Sequence, residues 1–278
     1  MRPGRWCADS PHHITSIFYP VKRNDPLKTG SLGVGLAVEP RLRGCSENVT
    51  YDNPIINRVS RLYGLSSTRG VELVNPLPHS VGYAVSAATA IVSSLVIGRS
   101  IGYGYREAMK IAHLADLYEG TGLGDVLALS CGVGVVLRKE AGAPGEGEVE
   151  CLQLPGTLGI VSVETGVMNT RTMLENMSCR VYELAKRALE RLAKEFTIEE
   201  FLSISTWFSK ESGMLNSALG GRELPVLRGV AGIYGKKKVV VLLIEREWLH
   251  DAIVELSRSG YRPRILEAST GPPRIWWS

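Results

Sequence analysis

The stretch EGTGLGDV at 119–126 sets three glycines ahead of one carboxylate, Asp125. Glycines clustered in this way mark a backbone that turns sharply or approaches a ligand closely. The chemistry on offer is that of a single acid delivered by a turn. A second stretch, GYAVSAA at 82–88, puts a glycine before a run of small residues. A helix opening there aims free N–H groups and the positive end of its dipole at whatever lies in front, which suits phosphate. Ser86 adds a hydroxyl able to ligate Mg²⁺ or a phosphate oxygen. Between the two stretches, His113 and Asp116 lie one turn apart on one helix face. Taken singly, each feature has a plainer reading: a tight turn capped by Asp125, a close-packed Ala/Ser helix, an interior histidine, a solvated carboxylate. Their combination and order lend weight to the chemical reading.

Other chemistries lack an anchor. The P-loop pattern GxxxxGK[ST] is absent, as are GxGxxG after a strand, HExxH and GxSxG. No CxxC occurs, and His12-His13 has no cysteine nearby, so a zinc site is disfavoured. The odd count of five cysteines argues against a full disulfide framework and fits a reducing, cytoplasmic setting. The N-terminus has no apolar signal-peptide core. A net charge of +4 over 278 residues does not point to nucleic acid without a basic stripe. The densest basic run, Lys236-Lys237-Lys238, reads as a solvated strand start. Residues 80–98 carry no charge, but their serines and threonine indicate a buried helix rather than a membrane span.

The elements that must position these residues follow in order. Strands are expected at 12–21, after the Gly-rich turn of 25–42, and at 69–78 before its prolines. A buried helix opens after Gly82, and an amphipathic helix lies within 100–120. VLALSCGVGVVLRKE at 126–140 reads as a strand or strand pair broken by glycines, and 140–150 as a loop. Beyond a strand at 156–166 come two long helical patterns, with Thr197 as N-cap and Glu200 three residues on. A strand, a helix and a strand close the chain. A boundary near 166 divides it into an N-terminal domain, 1–166, and a C-terminal α+β domain, 167–278.

The order of these segments resembles the superfamily of galactokinase, homoserine kinase, mevalonate kinase and phosphomevalonate kinase. Its phosphate loop, Pro-x-x-x-Gly-Leu-Gly-Ser-Ser-Ala-Ala, is approximated by PHSVGYAVSAA at 78–88. Within it the chain is similar to the archaeal pantoate kinase family. HHIT at 12–15, DPLKTGSLGVG at 25–35, the loop at 82–88, APGEGEV near 145 and above all Ala112, His113, Ala115, Asp116 and 120–126 carry the likeness.

The resemblance implies an α+β, two-domain small-molecule kinase fold. Its N-terminal half shares its fold with a ribosomal protein domain, and its C-terminal half is ferredoxin-like. It implies ATP held by Gly82, Tyr83, Ser86, Ala87 and Ala88, and Mg²⁺ held by Ser86 and Asp116. Asp125 would orient the terminal hydroxyl of pantoate or take its proton, with Lys28 as a catalytic cation. His13, Ser31, Gly122 and Arg138 would contact the substrate. The implied activity is phosphorylation of pantoate to 4-phosphopantoate in archaeal coenzyme A biosynthesis, with a homodimer expected and neither nucleic acid nor membrane as partner. Two departures stand out: Ala84 replaces a second loop glycine, and Asp116 replaces a glutamate. The third glycine motif is matched only loosely by GVAGIYGKKK at 229–238. The same chemistry on another small hydroxy acid or alcohol, an inactive relative with a binding role, and an RNA-binding protein are the competing readings.

Overall fold

The computed structural model describes residues 4–47, 52–168, 170–175 and 177–278. A long antiparallel hairpin organises the first half: β1 (Trp6–Val21) and β2 (Gly30–Glu47) run side by side, joined by a short 3-10 turn over Pro26–Lys28. Both strands are buried along most of their length, polar residues included, because helices or further strands cover both faces. Next come α1 (Pro54–Leu62), β3 (Gly70–Val74), α2 (Val85–Ser100), α3 (Tyr105–Tyr118) and α4 (Asp125–Cys131). Strands β4 (Val135–Glu140), β5 (Glu148–Leu152) and β6 (Leu158–Glu164) follow.

The second half holds α5 (Thr170–Glu175), α6 (Cys179–Lys194), α7 (Ile198–Glu211) and α8 (Met214–Leu219). It ends with β7 (Val230–Lys236), β8 (Val239–Glu245), α9 (Leu249–Arg258), β9 (Pro263–Ala268) and β10 (Arg274–Trp277). The described strands form one sheet path, β10-β1-β2-β9-β6-β8-β7, with β3 and β4 also pairing β2 and β5 pairing β4. The order β9-β6-β8-β7, with helices after β6 and between β8 and β9, is the split arrangement of ferredoxin-like α+β units. The fold is the expected α+β class.

The uncharged stretch at 80–98 becomes α2, a core helix whose residues from Ala87 to Gly98 are all buried. No helix among the described residues is long and apolar enough to cross a membrane. Thr197 caps α7 as expected, its hydroxyl accepting the N–H of Glu200 at 3.1 Å.

Two expectations are corrected. VLALSC is helix, not strand: Gly124 opens it and Gly132, at φ 62, closes it, and a short apolar run has no period that separates the two states. The cysteines are paired, Cys7 with Cys45 and Cys131 with Cys151, leaving Cys179 free. Cys7 faces Cys45 across the β1–β2 register, a proximity that counting residues cannot reveal.

Candidate active site

Asp125 is the first residue of α4, in a cleft of about 500 Å³ that also reaches the start of α2. The glycines ahead of it serve three purposes. Gly120 leaves α3 in the left-handed region, φ 66, with open space around it. A Cβ on Gly122 would collide with the carboxylate of Asp116. One on Gly124 would collide with the hydroxyl of Ser31 and lie 2.9 Å from Nε of Arg138. Gly122 and Gly124 therefore make room for the site's own side chains.

One oxygen of Asp125 is fully committed. His13 Nδ1–H donates to Oδ1 at 2.7 Å, and the hydroxyl of Thr15 donates to the same atom at 3.0 Å. Among the described residues nothing bonds Oδ2. Burial pushes the Asp125 carboxyl upward, but the His13 hydrogen bond and the positive charge of Arg138 and Lys236 outweigh it. They hold the acid well below the usual carboxylate range. Burial lowers His13, which is itself fully buried, so it is neutral and donates through Nδ1. The result is a fixed carboxylate with one oxygen free and 23 % of the side chain exposed to the cleft.

The loop at 79–84 forms the opposite wall. Its Tyr83 carbonyl accepts the N–H of His13 at 3.3 Å, Val81 accepts from Lys238 N–H at 3.0 Å, and Ser80 accepts from Met168 N–H at 2.7 Å. The Tyr83 hydroxyl donates to Glu164 at 3.0 Å, so this side chain anchors the loop. Ala84 caps α2 in the left-handed region, φ 52, with no side-chain bond to the helix N–H groups. That is the position where the resembling family carries glycine, and the conformation supplies the reason. The first N–H groups of α2, at Val85, Ser86 and Ala87, have no partner within the helix.

The expected residues divide as follows. Gly82, Tyr83, Ser86, Ser31, Gly122, Asp125 and Arg138 line the one cleft. His13 stands behind Asp125. Ala87 and Ala88 are fully buried in the core, and Ala88 has its N–H spent on Ala84 at 3.1 Å, which corrects its assignment as a phosphate donor. Lys28 is also corrected: it is exposed at the end of the 3-10 turn and does not line the cleft. Asp25 holds that turn by accepting the N–H of Leu27 at 2.9 Å. His113 faces the same turn, 3.3 Å from the Pro26 carbonyl, rather than the cleft.

Asp116 is buried just behind Gly122. Its Oδ1 accepts the Thr121 hydroxyl at 2.6 Å, and the Ser86 side chain is near enough to favour its charged form. Burial raises it to about 6, against these two neighbours. A carboxylate and a hydroxyl are hard oxygen donors of the kind Mg²⁺ takes when phosphates complete its shell. The pair fits that ion.

Three contributors escaped the sequence reading. Thr15 sits in the HHIT motif but had no assigned role. Lys236 and Lys237 were read as a solvated strand start, yet both line the cleft. Lys236 is 8 % exposed, with Nζ 3.7 Å from the ring centre of Phe18. Burial lowers it to about 7, with Asp125 acting in the opposite direction. Lys237 donates to the Thr170 hydroxyl at 2.8 Å. The clustering of three lysines was the available signal.

An uncapped helix tip thus faces a fixed acid across one cleft, on a fold shared with solved small-molecule kinases. A homoserine kinase from Cytophaga hutchinsonii has the same fold over 99% of this chain and 98% of its own, with a TM-score of 0.63 and 13% identity. A solved phosphotransferase related to the CoA biosynthesis pathway superposes over 98% of both chains, with a TM-score of 0.78 and 23% identity. In sequence the chain is similar to pantoate kinases of archaea. The one from Thermococcus kodakarensis is 27% identical, covering 95% of this chain and 96% of its own. That of Methanocaldococcus jannaschii is 26% identical, covering 76% and 82%. No family model matches the chain.

Proposed function

We propose that the protein is an ATP-dependent kinase that phosphorylates the terminal hydroxyl of pantoate to 4-phosphopantoate, a step in coenzyme A biosynthesis. The observation that carries this reading is the half-committed carboxylate of Asp125: Oδ1 is clamped by His13 and Thr15, and Oδ2 is free in a cleft shared with the uncapped tip of α2. The curated pantoate kinases similar over most of the chain supply the substrate.

The triphosphate of ATP lies against the N–H groups of Val85, Ser86 and Ala87, where the helix dipole favours negative charge. Ser86 and Asp116 would hold Mg²⁺, which would neutralise phosphate charge. Asp125 accepts a hydrogen bond from the acceptor hydroxyl through Oδ2 and aims its oxygen at the phosphoryl group. An acid held this far below neutral pH is a weak base, so its main work is orientation, and the proton passes to it late. Arg138, 2 % exposed with Nη1 unpaired, faces the substrate carboxylate.

The test is ADP release from ATP and Mg²⁺ with a panel of hydroxy acids and alcohols. Turnover is expected with pantoate ahead of the others. Absence of turnover with every member, in a folded sample, refutes the kinase reading.

A further inference from the structure

The run Lys236-Lys237-Lys238 is split three ways by the β7–β8 hairpin. Lys237 turns the chain in the left-handed region, φ 53. Lys238 is drawn outward, with Nζ on the Ser217 carbonyl at 2.7 Å. Lys236 ends β7 on the same strand face as Tyr234, whose hydroxyl donates to the Ile14 carbonyl of β1 at 3.0 Å. That bond ties the hairpin to the strand that carries His13, Thr15 and Phe18. On the other side, a Cβ on Gly82 would lie 2.8 Å from the Lys236 carbonyl oxygen, so the phosphate-side loop packs on the lysine backbone. The ammonium therefore lies inside the cleft by construction.

Arg138 approaches from β4. A Cβ on Gly33, its partner across the β2–β4 register, would collide with the guanidinium, so a glycine clears its path. Its Nε donates to the Ser31 carbonyl at 3.2 Å, and its Nη1 is buried with no partner. Among the described residues neither Arg138 nor Lys236 forms an ion pair, although Asp125 is near enough for its charge to act on both. Asp125 is already bonded to His13 and Thr15. Two buried cations without a paired anion are expensive unless the site is built for an anion that arrives with a ligand.

We propose that Lys236 and Arg138 form a two-cation clamp for the carboxylate of the acceptor, which makes the enzyme selective for hydroxy acids over neutral alcohols of the same shape. The proposal rests on the kinase reading and extends it. A carboxylate is the better match than the nucleotide phosphates. Those have their own donors at the α2 tip, and Lys237 feels both Asp116 and Asp125 on that side. The planar fork of Arg138 suits a carboxylate, with the ammonium of Lys236 as a second, point-charge contact. A site with buried cations rejects an uncharged analogue strongly, because binding the analogue leaves those cations unpaired.

The experiment compares pantoate with its neutral amide, which keeps the terminal hydroxyl. Wild-type protein is expected to favour the acid by about a hundredfold or more in kcat/KM. Lys236→Met should raise KM for pantoate by about tenfold or more while leaving KM for ATP within about threefold, and should narrow the preference for pantoate over the amide. Lys236→Arg should keep most of the preference. A fall in kcat with KM for pantoate unchanged, or no change at all, overturns the clamp. If the wild type turns over no pantoate, the kinase reading fails separately. The clamp is then read from thermal shift with pantoate and its amide: stabilisation by the acid alone, lost in Lys236→Met, supports it, and equal response to both overturns it. Circular dichroism confirms that each variant is folded.

Discussion

Replacing Lys236 by methionine should stabilise the free protein, and the gain should depend on pH in a defined direction. Burial lowers this lysine from 10.5 to about 7. The native state therefore binds fewer protons at this site than the unfolded state across the window from about pH 7 to 10. With the unfolded chain carrying the extra proton, stability rises as pH rises through that window. The lysine weighs most on the native state below pH 7 and least near pH 10. At about 1.4 kcal/mol per unit, the full burden has a ceiling of roughly 5 kcal/mol. Between pH 7 and 9 it lightens by about 2 kcal/mol. Lys237 titrates in the same direction but is present in both proteins, Arg138 stays charged throughout, and Asp125 stays ionised with His13 still bonded to it. The difference between wild type and variant thus isolates Lys236. Urea unfolding of wild type and Lys236→Met at pH 7, 8 and 9, at constant ionic strength, measures it. The variant should lead by a few kcal/mol at pH 7, and by about 2 kcal/mol less at pH 9. Parallel stability curves would mean a hydrated lysine with an ordinary proton affinity, and the buried cation would have to be abandoned.

Asp125→Asn should cut kcat by about a hundredfold or more with the fold retained, since the hydroxyl-facing oxygen loses its charge. Because the acid is held so low, wild-type kcat should show no limb belonging to Asp125 between pH 5 and 7; a limb that vanishes in Asp125→Asn would return it to the role of general base. Gly122→Ala drives a methyl into Asp116 and should destabilise by roughly 1–3 kcal/mol and weaken Mg-ATP binding, measured by denaturation and calorimetry. Unchanged values would show that the turn yields freely. In the loop before α2 the two small residues should differ. Ala84→Gly relieves a left-handed alanine and should change stability by less than about 1 kcal/mol, whereas Gly82→Ala, 2.8 Å from the Lys236 carbonyl oxygen, should lower it by roughly 2 kcal/mol or more.

Local chemistry was the legible part of this chain. An N-cap at Thr197, the buried stripe of α2 and the glycines that announce Asp125 are set by near neighbours, and each is found where the residues indicate. Long-range pairing was not legible. His13 meets Asp125 across 112 residues of chain, and Arg138 finds its room at Gly33 only through the β2–β4 register. The lysine run shows why hydropathy fails at such points. A window average treats three adjacent lysines as one solvated patch, whereas a hairpin whose turn has positive φ gives them three separate surroundings. One stays at the surface, one reaches Thr170, and one is buried against Phe18. A charge run at a tight turn is therefore better read residue by residue, with the strand residue before the turn treated as a candidate for the interior whenever its i−2 neighbour, here Tyr234, is itself buried.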